Sequence, residues 1–223
     1  PADRGTIYGR ETIDGVDVVR CWHHVPARPG ARARALHEAS FVATSFLRLL
    51  TLPRPDAILV VSPPLLLGLA ARVYGWIRRV PYWFHVQDLQ PEAGIALGMI
   101  PGTGPVARAL RRLAHLAYRG ASMVSGIAPG MLDTFRCAGV PRDRIALLPN
   151  GIDPVPDPEP GARGRFRRRH GVSEGDLLVV YSGNLGEKQG LDVVIDAARL
   201  LEARGHDRGL TLLLVGDGAA RAA

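Results

Sequence analysis

Residues 177–205 read LLVVYSGNLGEKQGLDVVIDAARLLEARG, a strand, a loop and a helix in immediate succession. The run Leu177–Tyr181 is apolar throughout, as in a buried strand. After the loop, apolar residues at 191, 194, 195, 198 and 201 keep the spacing of one helix face. A glycine-bearing turn between such a strand and a helix start suits an anion, because backbone N–H groups and the positive end of the helix dipole converge there. The loop also carries Lys188, the one lysine beside 27 arginines. A compact ammonium in that position suits a diphosphate, whereas arginine serves the chain everywhere else.

Outward from this stretch, strands and helices alternate, which predicts a mostly parallel α/β sheet covered on both faces. Val16–Arg20 is expected as a strand after an Asp-Gly turn, and Arg34–Leu50 as a helix. DAILVV (56–61) and PYWFHV (81–86) read as strands, with a helix over Leu65–Ile77 between them. A looser Gly- and Pro-bearing segment then runs to Gly104. The helix at Val106–Tyr118 is amphipathic, with Val106, Ala109, Leu110, Leu113 and Leu116 on one side and its arginines off that stripe. Strand, helix and strand follow at 121–127, 130–138 and 145–148. PNGIDPVPDPEPGARG (149–164) is dominated by proline and glycine and reads as a linker. It sets a domain at 1–150, a linker at 151–164 and a second domain at 165–223. The second opens on a basic helix (165–172) and ends on the strand Leu210–Val215 and Gly216-Asp217-Gly218. Two strands with their helices bury too little to stand alone, so the second domain is expected to be incomplete.

Composition narrows the classes. The formal charge is +7 in 223 residues, with a pI near 10, which admits phosphorylated substrates, membrane surfaces and nucleic acid. RFRRRH (165–170) has one aromatic residue and belongs to no recognised binding module, so a nucleic-acid partner is not expected. Cys21 and Cys137 lack metal-ligand spacing and fit a reducing cytoplasm. No apolar run is long enough to cross a bilayer. No GxGxxG follows a strand, which argues against a dinucleotide-dependent oxidoreductase.

Together, PNGID (149–153), YSGNLGEKQGLDVVIDAARLL (181–201), LLLVGDG (212–218) and WFHVQDLQPEAGIALGMI (83–100) resemble the retaining, nucleotide-sugar-dependent glycosyltransferases of family 4, nearest the colanic-acid biosynthesis type. The resemblance runs from about residue 7 to the end. It implies the GT-B fold, α/β with two Rossmann-like domains and parallel sheets, the donor nucleotide held by the C-terminal domain and the acceptor by the N-terminal one. Lys188 would pair with the donor phosphates, Gly183 would allow close backbone approach, and Gly216 and Gly218 would line the nucleotide pocket. Asn184, where the wider family often has arginine, and Gln189 would complete the donor side. His85 and Asp88, at the end of the PYWFHV strand, would orient the acceptor, take its proton or stabilise charge on the sugar. Relatives often place His directly before the Asp, where this chain has Gln87. Glu92 reads as a solvated loop residue.

The family's glycine-rich acceptor loop would precede residue 1 and its glutamate pair would follow residue 223, so both domains are expected to be truncated and the chain as it stands not to turn over. The intact enzyme would move a sugar to a polysaccharide or lipid-linked acceptor, with no resident cofactor and no metal, since Lys188 would take a cation's role. It would work in the cytoplasm, touching an anionic membrane at the inner face of the cell membrane through the helix at 106–119 and the segment 41–52. The contrasting reading is a non-catalytic nucleotide- or phosphate-binding α/β module, sharing the Lys188 loop and lacking transfer.

Overall fold

The computed structural model describes residues 6–26, 30–96, 98, 100–186 and 189–218. The chain divides into two compact units, Pro1–Gly151 and Ile152–Ala223. The first unit opens with an antiparallel hairpin, β1 (Tyr8–Ile13) and β2 (Val16–Cys21). Its two-residue turn is Asp14-Gly15, both at positive φ (51° and 81°), as a twist-matched hairpin turn requires. Only the second strand was expected. YGRETI is largely polar and its outer residues are exposed, so no apolar pattern marks it. Helix α1 (Ala31–Thr51) packs on β2 and on α2 (Leu66–Arg78).

The main sheet is parallel throughout, in the order β3 (Ile58–Ser62), β4 (Tyr82–Val86), β5 (Met123–Gly126), β6 (Ile145–Leu147). Helices α2, α3 (Gln90–Ala96), α4 (Pro105–Gly120) and α5 (Pro129–Cys137) lie in the connections. The order advances in one direction, and right-handed crossovers then place successive helices on one face. On that face Val60, Phe84, Val86 and Val124 form the core with Ala117, Tyr118 and Phe135. On the other face Leu59, Val61 and Trp83 remain exposed. That face is unevenly covered, since His85 and Ser125 toward its carboxyl end are buried.

The buried side of α4 also differs from the expected stripe. Ala107, Ala114, Ala117 and Tyr118 are buried, whereas Val106 and Leu116 are exposed. The cause is close approach. A Cβ on Gly68 of α2 would stand 2.6 Å from the Phe84 ring and 3.0 Å from the Ala117 Cβ. Position 68 has no room for a side chain beside Phe84 and Ala117. Part of the segment expected to be loose is helical, as α3.

The second unit contains α6 (Ala162–Arg169), β7 (Leu177–Ser182), α7 (Leu191–Ala203) and β8 (Leu210–Val215), with β7 and β8 parallel. Helix α6 starts and stops about three residues before the basic helix expected at 165–172. Leu177, Val179 and Val180 are exposed, so β7 is a strand but not a buried one among the described residues. The stripe on α7 keeps its direction: Ile195, on it, is 37% exposed and Val193, off it, 68%.

Candidate functional site

In the first unit the candidate residues gather at the carboxyl ends of β4 and β5. His85 pairs in register with Ser125, and its Nδ1 lies 2.8 Å from the Ser125 Oγ. Trp83, on the same strand face two residues earlier, donates its Nε1–H to that oxygen at 2.8 Å. Ser125 is fully buried, and the ring nitrogen is the acceptor available to its single proton among the described residues. A ring that accepts there would carry its proton on Nε2. His85 is itself 7% exposed, and the direction of the Ser125 contact follows its tautomer. The bonding partner that keeps it in the core edge is a hydroxyl that period-two spacing on β4 alone could not reveal.

Beyond the strand, Gln87 Nε2 donates to Asn150 Oδ1 at 3.4 Å, which joins the VQD segment to PNGID. Asp88 is half-buried. Gln90 accepts the Leu65 N–H at 2.6 Å and so caps the start of α2, while its Nε2 reaches Glu38 of α1 at 3.3 Å. Glu92 departs from the solvated loop residue expected of it. It lies in the first turn of α3, and its Oε2 is buried with no hydrogen-bond partner. Burial raises the Tyr118 phenol above its ordinary range, and the Glu92 and then the Asp88 carboxylates add to that rise.

In the second unit five of the six donor-side candidates come together, at the carboxyl ends of β7 and β8. Lys188 lies outside the described residues, as does Glu187. The Gly183 N–H continues the ladder to Val215 O at 2.9 Å, and the Leu185 N–H bonds Asp217 O at 2.9 Å. Those two donors are therefore spent within the protein, and Asn184 and Gly186 keep N–H groups without a partner among the described residues. A Cβ on Gly216 would overlap Gly183 O, and one on Gly218 would overlap Leu185 O. Both glycines exist so that the two loops can lie against each other. Tyr181, which the sequence did not single out, packs its hydroxyl 3.1 Å from where a Gly183 Cβ would be and donates it to Asn184 O at 2.9 Å. The Asn184 and Gln189 amides converge on Gly186, each 2.9 Å from its absent Cβ. Helix α7 begins beside them after Gly190, with no side-chain cap and with Asp192 in its first turn. Among the described residues no group of three or more His, Cys, Asp or Glu could hold a metal ion, and no helix is long and apolar enough to cross a membrane.

These features have counterparts in known proteins. The chain is 30% identical over 214 residues to the colanic acid biosynthesis glycosyl transferase WcaI of Escherichia coli K12, a match covering 92% of this chain and 51% of that protein. It is 34% identical over 79 residues to a D-inositol 3-phosphate glycosyltransferase of Pseudarthrobacter chlorophenolicus, 35% of this chain and 19% of the relative. Among solved structures it superimposes on Anabaena Alr3699/HepE in complex with UDP and glucose, with a TM-score of 0.53, 21% identity and coverage of 86% of this chain and 46% of that one. The same protein in complex with UDP-glucose gives a TM-score of 0.55 at 20% identity. The chain thus spans about half the length of these longer relatives. The shared fold is of the GT-B type, α/β with parallel sheets. The family model described as the glycosyl transferase 4-like domain matches residues 1–151, and the chain belongs to that family.

Proposed function

We propose that the protein is a glycosyltransferase that moves a sugar from a nucleoside-diphosphate donor to a saccharide or lipid-linked acceptor, with retention at the anomeric carbon. The observation that carries this reading is the cluster at the ends of β7 and β8. Two glycines without room for a Cβ press one loop on the other, and the Asn184 and Gln189 amides meet beside an uncapped helix start. Such an arrangement suits a diphosphate, and Lys188 would supply the point charge on the departing group, in the role a metal takes elsewhere. Relatives whose names record sugar transfer, or complexes with UDP and UDP-glucose, support the same reading. On the acceptor side, His85 with a proton on Nε2 would donate to a sugar oxygen and orient it. Asp88 is then the better base. A lipid-linked acceptor would bring the protein to the inner face of the cell membrane.

The test is calorimetric binding of UDP, GDP and ADP to the full chain and to Lys188→Ala. One diphosphate is expected to bind in the micromolar range and to lose about tenfold or more, ~1.4 kcal/mol, on substitution. Folded protein that binds none, or that binds equally without Lys188, would sink the donor-site assignment.

A further inference from the structure

Helix α2 turns Gly68, Ala71 and Tyr74 into the core, packs on α1, and in its last two turns leaves an outer face exposed. Val73, Trp76 and Ile77 share that outer face, and Trp76 is 83% exposed. Trp76 and Val73 border a groove of about 620 Å³ that also takes in Arg72, Tyr82 and Arg119 and contains no carboxylate. Two guanidinium groups are fixed at this surface by backbone carbonyls: Arg72 donates to Leu116 O and Arg54 to Arg79 O, both at 2.8 Å. Across residues 54–82 and 116–122 there are five arginines (54, 72, 78, 79 and 119) and one acid, Asp56. None of the five takes part in an ion pair among the described residues.

We infer that this face of α2 docks on an anionic phospholipid bilayer. Tryptophan with one or two aliphatic neighbours suits the headgroup boundary, and Arg72 and Arg119 in the groove beside it suit anionic lipid. A protein partner fits less well. Three apolar side chains fall well short of the roughly 800 Å² each partner brings to a standard interface, and five uncompensated cations would oppose a second copy of the same patch. The location also fits. Val80 and Pro81 lead into β4 at Tyr82, and Gly120–Ser122 lead into β5, so the patch lies at the amino edge of the sheet, and docking leaves the carboxyl ends with His85 and Asp88 open. This surface overlaps the helix at 106–119, expected to touch a membrane, at Arg119, and takes its apolar residues from α2 and not from that helix or from 41–52.

The inference rests for its purpose on the lipid-linked acceptor reading, but its test needs no sugar donor, so the two can fail separately. The full chain is floated with vesicles of phosphatidylcholine, with and without phosphatidylglycerol. Flotation is expected only with phosphatidylglycerol, with loss in high salt and a blue shift of tryptophan emission. Trp76→Ser, at an exposed position and with its fold checked by circular dichroism, should abolish both the shift and most of the binding. Arg119→Ser should weaken partitioning about fivefold. Equal flotation with neutral vesicles, no flotation at all, or binding indifferent to Trp76→Ser would overturn the assignment. A dimer that Trp76→Ser converts to monomer, with no change in flotation, would overturn it in favour of self-association.

Discussion

The Ser125 hydroxyl is the smallest part of the first unit on which the candidate site depends. It accepts from Trp83 and bonds the His85 Nδ1, each at 2.8 Å, and it is sealed from water. Ser125→Ala leaves a buried imidazole nitrogen and a part-buried indole N–H without that partner. The cost of such orphaned groups is about 1–3 kcal/mol. All three tryptophans lie at positions 22, 76 and 83, so urea unfolding followed by their emission reports on the first unit. The midpoint should fall accordingly in Ser125→Ala and recover in part in Ser125→Thr. An unchanged midpoint would mean that the hydroxyl holds nothing. Glu92 is a different case at the same scale, a carboxylate oxygen buried without a hydrogen bond, whose charge adds to the rise of the Tyr118 phenol.

At the scale of elements, the contact of α2 with α4 and β4 is set by an absence. Gly68→Ala would place a methyl 2.6 Å from the Phe84 ring, and Phe84 is fully buried with nowhere to move. The overpacked variant should lose about 1–3 kcal/mol, and trimming the ring in Gly68→Ala/Phe84→Leu should return part of it. If Gly68→Ala unfolds at the wild-type urea concentration, the tight junction is not what keeps α4 alanine-rich. The same junction explains where the sequence was readable. DAILVV and PYWFHV announce strands because each puts apolar residues on the covered face. The inward side of α4 was not legible, since an alanine face looks inert until the glycine opposite is known. Nor was β1, whose residues are held by pairing and not by burial. Of the candidate site, the strand-end position of His85 and Asp88 follows from the PYWFHV run, and the glycine loops follow from the strand exits. Ser125 and Tyr181 act through contacts across strands or within a loop, which no spacing rule reports.

At the scale of the whole molecule, the choice of arginine over lysine leaves an unusually clean alkaline window. Of 28 basic side chains, one is a lysine, so above pH 9.5 the groups that titrate are chiefly five tyrosines. Tyr82 donates to Ala117 O at 2.7 Å, and burial, partly countered by Arg72, pushes its phenol up to about 12. Burial and the Glu92 and Asp88 carboxylates raise Tyr118 as well. The sign follows from the unfolded chain, whose tyrosines lose their protons near pH 10 while the folded ones keep theirs. Unfolding then releases protons, so the stabilisation is fully present below pH 10 and is lost as pH rises through 10 toward the folded values. The expected slope of unit 1 stability is a loss of roughly 1 kcal/mol per pH unit for each of the two tyrosines. Tyr82→Phe should start lower by about 1 kcal/mol, for the lost hydrogen bond, and then fall about half as steeply. Urea midpoints from tryptophan emission between pH 9 and 11.5 measure both quantities. A flat midpoint across that range, or an unaltered slope in Tyr82→Phe, would show that these phenols ionise in the folded protein as readily as in water, and that the α4–β4 junction is wetter than its packing implies.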